Sequence, residues 1–325
     1  MKTILIALFG ALTLSSYAAP SPEAELPSST LGPLLPHRGA PSQPPVDLGV
    51  YDPTHAFNTA KQMTYEDIWT GWTNNWSAIS TKIKGDDLLL QLRKVAAKNR
   101  TAIISVEPYP IWSKGDMETP PVKRAVLLGD IIGGKYDYVI HTLAKEIAAS
   151  GVPSIIRFAP EMERLNAHKF WSGKPPEDYI AAYRHFVSVF REDCDDLQMW
   201  SPIGCNGCEH YYPGSDVVDL VGFSVYEVSA CSIGWFGHPM SFSQWMDVKY
   251  PPLAKFQKPI ILPEVGVYGN HEDQASWLHD GLTEIGHYPL VGAVVYYNYP
   301  DPVSWKKWGG PNKVIFTIDP KIFTF

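Results

Sequence analysis

Eight short apolar runs alternate with amphipathic helix patterns from residue 46 to the end of the chain, and this alternation constrains the fold most strongly. Runs such as AIISV, SIIRF and GAVVYY are nearly continuous apolar stretches, which are typical of strands covered on both faces in a parallel sheet. Eight strands alternating with helices over about 280 residues predict an α/β protein, a single (β/α)8 TIM barrel. The predicted strands are Val46–Tyr51, Asp67–Trp72, Thr101–Val106, Ser154–Phe158, Leu197–Ser201, Asp219–Val225, Pro259–Leu262 and Leu290–Tyr297.

Four amphipathic helices are predicted between these strands, because apolar side chains recur there every three or four residues and so share one face. They are Asp86–Asn99, Tyr136–Ala149, Glu177–Glu192 and Gln274–Ile285. A doubly wound open sheet is the alternative. No glycine-rich phosphate loop follows the first strand, so the barrel is favoured.

The first 45 residues differ in composition from the barrel region, 46–325. Residues 1–18 combine Lys2, an apolar run over Ile4–Leu14 and small residues ending at Ala18, which indicates a signal peptide cleaved after Ala18. The apolar run is too short to span a bilayer. Residues 19–45 are rich in proline and serine and predict a disordered linker. The protein is therefore expected to be secreted or periplasmic.

Charge and cysteine content narrow the possible partners. The net charge is −7 without basic runs, which argues against nucleic acid and anionic membrane surfaces, and a monomer is expected. In an oxidising compartment the cysteines are expected to form disulfides, in a pairing that the sequence leaves open. The alternative is a zinc site at Cys205-x-x-Cys208 with His210. The four cysteines are Cys194, Cys205, Cys208 and Cys231.

Glutamates follow several of the predicted strands, and barrel active sites lie at the C-terminal ends of the strands. Glu107, Glu161 and Glu264 follow the third, fourth and seventh strands. The fourth and seventh strands lie nearly opposite each other, so Glu161 and Glu264 could approach to about 5 Å. Such a pair suits glycoside hydrolysis, in which one carboxyl group donates a proton and the other attacks as a carboxylate. No metal or organic cofactor is needed, and the 11 Trp and 17 Tyr suit stacking on sugar rings.

Three segments resemble glycoside hydrolase family 26 in order and spacing: IIRFAPEMERLNAHKFWSG, YYPGSDVVDLVGFSVYE and KPIILPEVG. The resemblance implies a retaining β-glycanase in which Glu161 is the acid/base and Glu264 the nucleophile. It further implies that Tyr226 orients the nucleophile and that Trp171 stacks on a sugar. Glu161 is expected to have a raised pKa. Further candidates for substrate binding are Glu107, Trp305, Tyr299, Arg157 and His168.

The chain departs from the mannanase pattern beside the acid/base glutamate. Pro160 stands where mannanases have His, and Glu163-Arg164 replaces Asn-Gly. These departures favour a β-glucan, such as mixed-linkage β-1,3-1,4-glucan, over β-1,4-mannan as the polysaccharide substrate of an endo-acting enzyme. The alternative function is a non-catalytic carbohydrate-binding barrel that assists polysaccharide synthesis or export.

Overall fold

A computed structural model describes residues 46–71, 88–110, 120–164, 169–301 and 304–323. The signal peptide predicted for residues 1–18, the linker predicted for residues 19–45 and the candidate His168 lie outside the described residues. Of the described helices, none combines the length and hydropathy that crossing a membrane requires.

Eight parallel strands close into a barrel in sequence order, with β1 paired to β8, so the predicted (β/α)8 fold is confirmed. The strands are β1 Asp47–Tyr51, β2 Met63–Gly71, β3 Thr101–Glu107, β4 Ser154–Phe158, β5 Leu197–Trp200, β6 Leu220–Val228, β7 Ile260–Tyr268 and β8 Val291–Tyr297. The helices are α1 Leu88–Ala97, α2 Pro120–Ile132, α3 Asp137–Ser150, α4 Pro176–Phe190, α5 Ser229–Phe236, α6 Phe242–Ala254 and α7 His271–Glu284.

The four predicted helices are present as α1, α3, α4 and α7, whereas α2, α5 and α6 had no clear sequence signal. Helix α5 has only eight residues, and α6 contains Pro251 and Pro252. Proline interrupts the pattern of a helix interior. Helix α6 nevertheless begins with a capping box, in which Ser241 and Gln244 each accept a hydrogen bond from the other's backbone N–H.

The barrel strands are buried on both faces, as their apolar runs predict. Their inward side chains fill the lower barrel with one apolar cluster, and their outward side chains pack against the helices. A Cβ atom at Gly49 would lie 2.7 Å from the Cβ of Tyr65, so only glycine allows this approach of β1 to β2. The inner cluster is Tyr65, Ile103, Ile155, Met199, Leu220, Ile261, Ala293 and Val295.

Strand β7 continues six residues beyond its predicted end at Leu262 and therefore includes Glu264. Pro263 follows the predicted end, and a proline cannot donate a ladder hydrogen bond. The register of β7 with β8 shifts between Leu262 and Val265, so the strand passes the proline through an irregularity. Such irregularities redirect side chains near active sites.

All four cysteines carry free thiols, so the predicted disulfides are not confirmed. Cys194 follows α4, Cys205 and Cys208 lie in the segment after β5, and Cys231 lies in α5. The Sγ atom of Cys231 faces Gly310. The part of the chain that the structure describes contains no group of three His, Cys, Asp or Glu side chains placed to hold a metal ion.

Candidate active site

Glu264 is held by a cation and a hydroxyl group at the C-terminal end of the barrel. The Oε1 atom of Glu264 lies 2.6 Å from Nη1 of Arg157, and Tyr226 donates its hydroxyl hydrogen to Oε2 at 2.6 Å. The arginine side chain is fully buried and that of Glu264 is 6% exposed. The carboxylate is thus fixed in one orientation by an ion pair on one oxygen and a hydrogen bond on the other.

Arg157 is itself held by hydroxyl groups on the two neighbouring strands and their extensions. Its Nε donates to Oγ of Ser201 at 2.9 Å and its Nη1 to Oγ of Ser105 at 3.3 Å. Ser105 in turn donates to Asp67 at 3.0 Å, and the indole of Trp69 donates to the same carboxyl group at 2.9 Å. This polar layer lies next to the apolar barrel cluster. Asp67, Ser105, Arg157 and Ser201 each follow a cluster residue by two positions, the repeat that keeps side chains on one face of a strand.

Glu161 stands three residues after β4, on a backbone that turns sharply at the barrel mouth. Ala159 and Glu161 have φ angles of 47° and 58°, in the left-handed region that non-glycine residues rarely adopt. Their N–H groups donate to the carbonyls of Val106 at 2.9 Å and Ser201 at 2.8 Å. Hydrogen bonds to both flanking strands therefore hold the turn that presents this glutamate.

The side chain of Glu161 has two close partners. Lys169 donates to Oε2 at 2.6 Å and Ser224 donates to Oε1 at 2.7 Å. Ser224 lies opposite Glu264 in the ladder between β6 and β7. Adjacent strands are about 4.8 Å apart. By binding Ser224, the Glu161 carboxylate therefore lies near the strand position of Glu264.

The expected raised pKa of Glu161 is wrong for this unliganded arrangement. Burial acts to raise the pKa, but the positive charges of Lys169 and Arg157 and the hydrogen bonds from Lys169 and Ser224 outweigh it and lower the pKa to about 2. The spacing of Lys169 along the chain does not predict its contact with this carboxylate. Glu161 is therefore ionised, and an acid role requires that its surroundings change.

Two other carboxyl groups in the mouth have the opposite tendency. Burial, partly offset by Lys169, raises the pKa of Glu107 to about 7. Burial, partly offset by Arg157, raises the pKa of Asp67 to about 8. The predicted substrate-binding residue Glu107 thus lies in the same site as Glu161 and Glu264. Its raised pKa places its change of protonation near neutral pH.

Aromatic rings line one side of the mouth beside Glu264. Tyr226 lies 6.0 Å from Tyr297 and 6.2 Å from Trp305, measured between ring centroids. Tyr51 stacks on Tyr297 at 5.0 Å and meets Tyr299 edge-on at 6.2 Å. The predicted Trp305 and Tyr299 are both partly exposed here. This wall offers π surfaces to the apolar face of a sugar.

Trp171 does not form part of that surface, so the predicted stacking role is contradicted. Its side chain is fully buried, its indole N–H donates to the carbonyl of Pro160 at 2.7 Å, and its ring meets Tyr109 edge-on at 5.4 Å. Trp171 instead supports the turn that carries Glu161 from below. Trp171 and Trp305 both lie in loops, so the sequence did not distinguish the buried tryptophan from the partly exposed one.

Two strand-end polar residues serve the fold rather than the site. Glu227 accepts hydrogen bonds from Ser232 at 2.7 Å and from the indole of Trp245 at 2.8 Å, which ties β6 to α5 and α6. Asn298 donates to Asp52 at 3.0 Å and accepts from the backbone of Ile318.

Several site residues were not identified from the sequence, among them Asp67, Trp69, Lys169 and Ser224. Asp67 and Trp69 alternate on β2 and Ser224 precedes Tyr226 by two, so their inward direction follows from the period of a strand. Lys169 lies in a loop, where no periodicity indicates direction.

The family model described as "Glycosyl hydrolase family 26" matches residues 128–268, which include Glu161, Tyr226 and Glu264. Endoglucanase H of Acetivibrio thermocellus is 28% identical over 191 residues, which cover 54% of this chain and 21% of that protein. Beta-1,3-xylanase TXYA of a Vibrio species is 27% identical over 111 residues, covering 32% of this chain and 23% of the relative. The matched region therefore spans less than a quarter of the length of either relative.

Solved structures with this family designation share the fold. GH26C from a Muricauda species has a TM-score of 0.58 at 15% identity, covering 84% of this chain and 82% of that one. The GH26 beta-mannanase BoMan26A from Bacteroides ovatus has a TM-score of 0.54 at 17% identity, covering 83% and 82%. Residues 128–268 of the chain are thus similar to glycoside hydrolase family 26, and the solved structures of that designation share the fold of the whole barrel.

Proposed function

We propose that this protein is a secreted, retaining endo-β-glycanase that cleaves a β-linked polysaccharide by double displacement. The observation that carries the proposal is the fixed orientation of Glu264 between Arg157 and Tyr226, next to a second carboxylate on Glu161. A carboxylate held in a fixed orientation is suited to act as a nucleophile. The relatives named endoglucanase and mannanase support the same class of reaction.

In the first step, the Glu264 carboxylate attacks the anomeric carbon and the bond from that carbon to the leaving oxygen breaks. Glu161 gives its proton to the leaving oxygen, and an ester joins the sugar to Glu264. In the second step, Glu161 takes a proton from water, the resulting hydroxide attacks the anomeric carbon, and Glu264 leaves as a carboxylate. Each carboxyl group returns to its starting state.

The geometry favours retention over inversion of the anomeric centre. Ser224 neighbours Glu264 in the ladder and reaches Glu161 with a 2.7 Å hydrogen bond. One serine thus contacts Glu161 and neighbours Glu264, which supports the close pair of carboxyl groups, about 5 Å apart, that a retaining mechanism uses.

For the backbone of the substrate we propose a β-glucan such as mixed-linkage β-1,3-1,4-glucan, with β-1,4-mannan second. Pro160 directs its carbonyl to Trp171 and Glu163 accepts hydrogen bonds from the N–H groups of Gly204 and Cys205, so neither occupies the role of the mannanase residues that they replace. The aromatic wall of Tyr297 and Trp305 suits pyranose rings.

The test is a reducing-end assay on purified protein with mixed-linkage β-glucan, β-mannan, β-1,3-xylan and cellulose derivatives. We expect one of these polymers to be cleaved, Glu264→Ala to remove the activity, and azide to restore cleavage of an activated substrate with inverted stereochemistry. Substantial activity in Glu264→Ala would show that the nucleophile is wrongly assigned. Sugar binding without new reducing ends would instead favour a non-catalytic binding barrel.

A further inference from the structure

Lys169 places a buried positive charge on the proposed proton donor. Its Nζ lies 2.6 Å from Oε2 of Glu161, its side chain is 11% exposed, and it lies 5.8 Å from the ring centroid of Trp69. Burial acts to lower the pKa of Lys169, but Glu161, Glu107 and Glu264 outweigh burial and raise it. The lysine therefore carries its full charge in the site.

This contact conflicts with the first step of the proposed reaction. A general acid must hold a proton, yet the ammonium of Lys169, 2.6 Å away, holds the pKa of Glu161 well below its usual range. When Glu161 takes up a proton, Lys169 loses its nearest counter-charge while it stays buried. Lys169 then keeps only its weaker interactions with Glu107 and Glu264, and a buried ammonium that loses its ion-pair partner is disfavoured.

A negative charge brought by the substrate resolves the conflict. It replaces Glu161 as the partner of Lys169, so that Glu161 can accept a proton from solvent. Arg157 cannot serve in the same way, because its side chain is fully buried and is bound to Glu264 and two serines. Lys169 has the partial exposure that contact with a ligand requires.

Resting on the function proposed above, we infer that the substrate is a β-linked glycan carrying a carboxylate, as a uronic acid does, next to the cleaved bond. Lys169 moves from Glu161 to that carboxylate when the substrate binds. Substrate binding and proton uptake by Glu161 are then one linked event. A neutral glycan lacks this second partner, so Lys169 stays closer to Glu161 and the neutral glycan is cleaved more slowly.

The other groups that act on Glu161 stay with their own partners during this exchange. From β3 the site is faced by Glu107, from β4 by Arg157, from β6 by Ser224 and Tyr226, and from β7 by Glu264. Glu163 after β4, Cys205 after β5 and Lys249 of α6 also interact with Glu161. Lys249 donates to the carbonyls of Ile203 and Ser224, which keeps it out of the mouth.

The activity test compares the same β-glucan before and after partial oxidation of its primary hydroxyl groups to carboxylates. We expect kcat/KM to rise at least tenfold on oxidation for the wild-type enzyme. In Lys169→Met this preference should disappear, whereas Lys169→Arg should keep it because the charge remains. The matched control is Lys135→Met, which removes a lysine with an equally short 2.6 Å ion pair to Asp130 on the barrel surface.

A binding test follows the proton directly. Calorimetry at pH 5 in buffers of different ionisation enthalpy should show uptake of about one proton when methyl β-D-glucuronoside binds, and none with methyl β-D-glucoside. Glu161→Gln should abolish the uptake, because it removes the group that accepts the proton. Thermal melting of each variant establishes that it is folded.

The two proposals fail in different ways. Cleavage of the neutral and oxidised polymers at equal rates, with equal binding of the two methyl glycosides, would overturn the inference and leave the glycanase function intact. Release of no reducing ends from any polymer, oxidised or not, would overturn the glycanase function. If folded Lys169→Met still prefers the oxidised over the neutral β-glucan by the wild-type factor, Lys169 does not bind the substrate carboxylate and the inference is wrong.

Discussion

Arg157 and Glu264 form a 2.6 Å ion pair across the barrel mouth, and the arginine side chain has no exposure to solvent. An ion pair of this kind is costly to break from one side, because the remaining charge stays buried without a partner. The pair therefore connects the proposed nucleophile with the stability of the barrel.

Replacing Arg157 by Met should destabilise the protein by about 3 to 5 kcal/mol, since the Glu264 carboxylate is left with Tyr226 alone. Urea unfolding measures the loss. Arg184→Met serves as the control, because it removes a solvent-exposed pair with Asp216 of nearly the same length, 2.7 Å, and should change stability far less. Equal losses in the two variants would refute a special role for burial.

Removing the hydroxyl group of Tyr226, as Tyr226→Phe, should lower kcat by about 10- to 100-fold and change KM little. The hydroxyl donates to Oε2 of Glu264 and fixes the direction of attack, while the ring keeps its packing against Phe316 at 4.9 Å. Steady-state kinetics on the cleaved polymer test this expectation. A kcat within threefold of the wild type would show that Arg157 alone orients the nucleophile.

Glu107 should make the protein less stable as pH rises from about 5 to 7. Burial raises its pKa to about 7, so over this range the folded protein holds a proton that the unfolded chain releases. The free energy of unfolding should fall between pH 5 and pH 8 by on the order of 3 kcal/mol less in Glu107→Gln than in the wild type. Urea unfolding at the two pH values measures this difference. Asp67, with a pKa of about 8, retains part of the effect.

The exposed Glu177, at the first turn of α4, gives the matched control for that measurement. Glu177→Gln should leave the difference between pH 5 and pH 8 as it is in the wild type. If Glu107→Gln behaves in the same way as this control, Glu107 is ionised in the folded protein throughout the range.

The buried Trp171 provides a test between packing and sugar stacking. Trp171→Ala should cost about 3 to 5 kcal/mol of stability, as deletion of a large buried side chain does. Trp171→Phe should lose the hydrogen bond to Pro160 and lower kcat through the position of Glu161, with KM nearly constant. A large rise in KM with unchanged stability would restore the stacking role.

The number of strands and the positions of Glu161 and Glu264 at strand ends could be predicted from the sequence, because both follow from short-range patterns. Apolar runs such as SIIRF are read along the chain, and a strand end in a barrel has a known location. The lowered pKa of Glu161 could not be predicted from the sequence, because it depends on Lys169. The position of that lysine is determined by tertiary contacts. The burial of Trp171 and the reduced state of the cysteines likewise depend on which loops pack together.

The left-handed backbone at Ala159 and Glu161 makes the active-site turn a point where function and foldability compete. A non-glycine residue in this region costs roughly 1 kcal/mol or more, and the flanking strands hold it there. Ala159→Gly would relieve that cost in the folded state but would also loosen the segment that aims Glu161. Backbone strain at this position and the placement of Glu161 for its proposed role therefore set opposite demands on the same few residues.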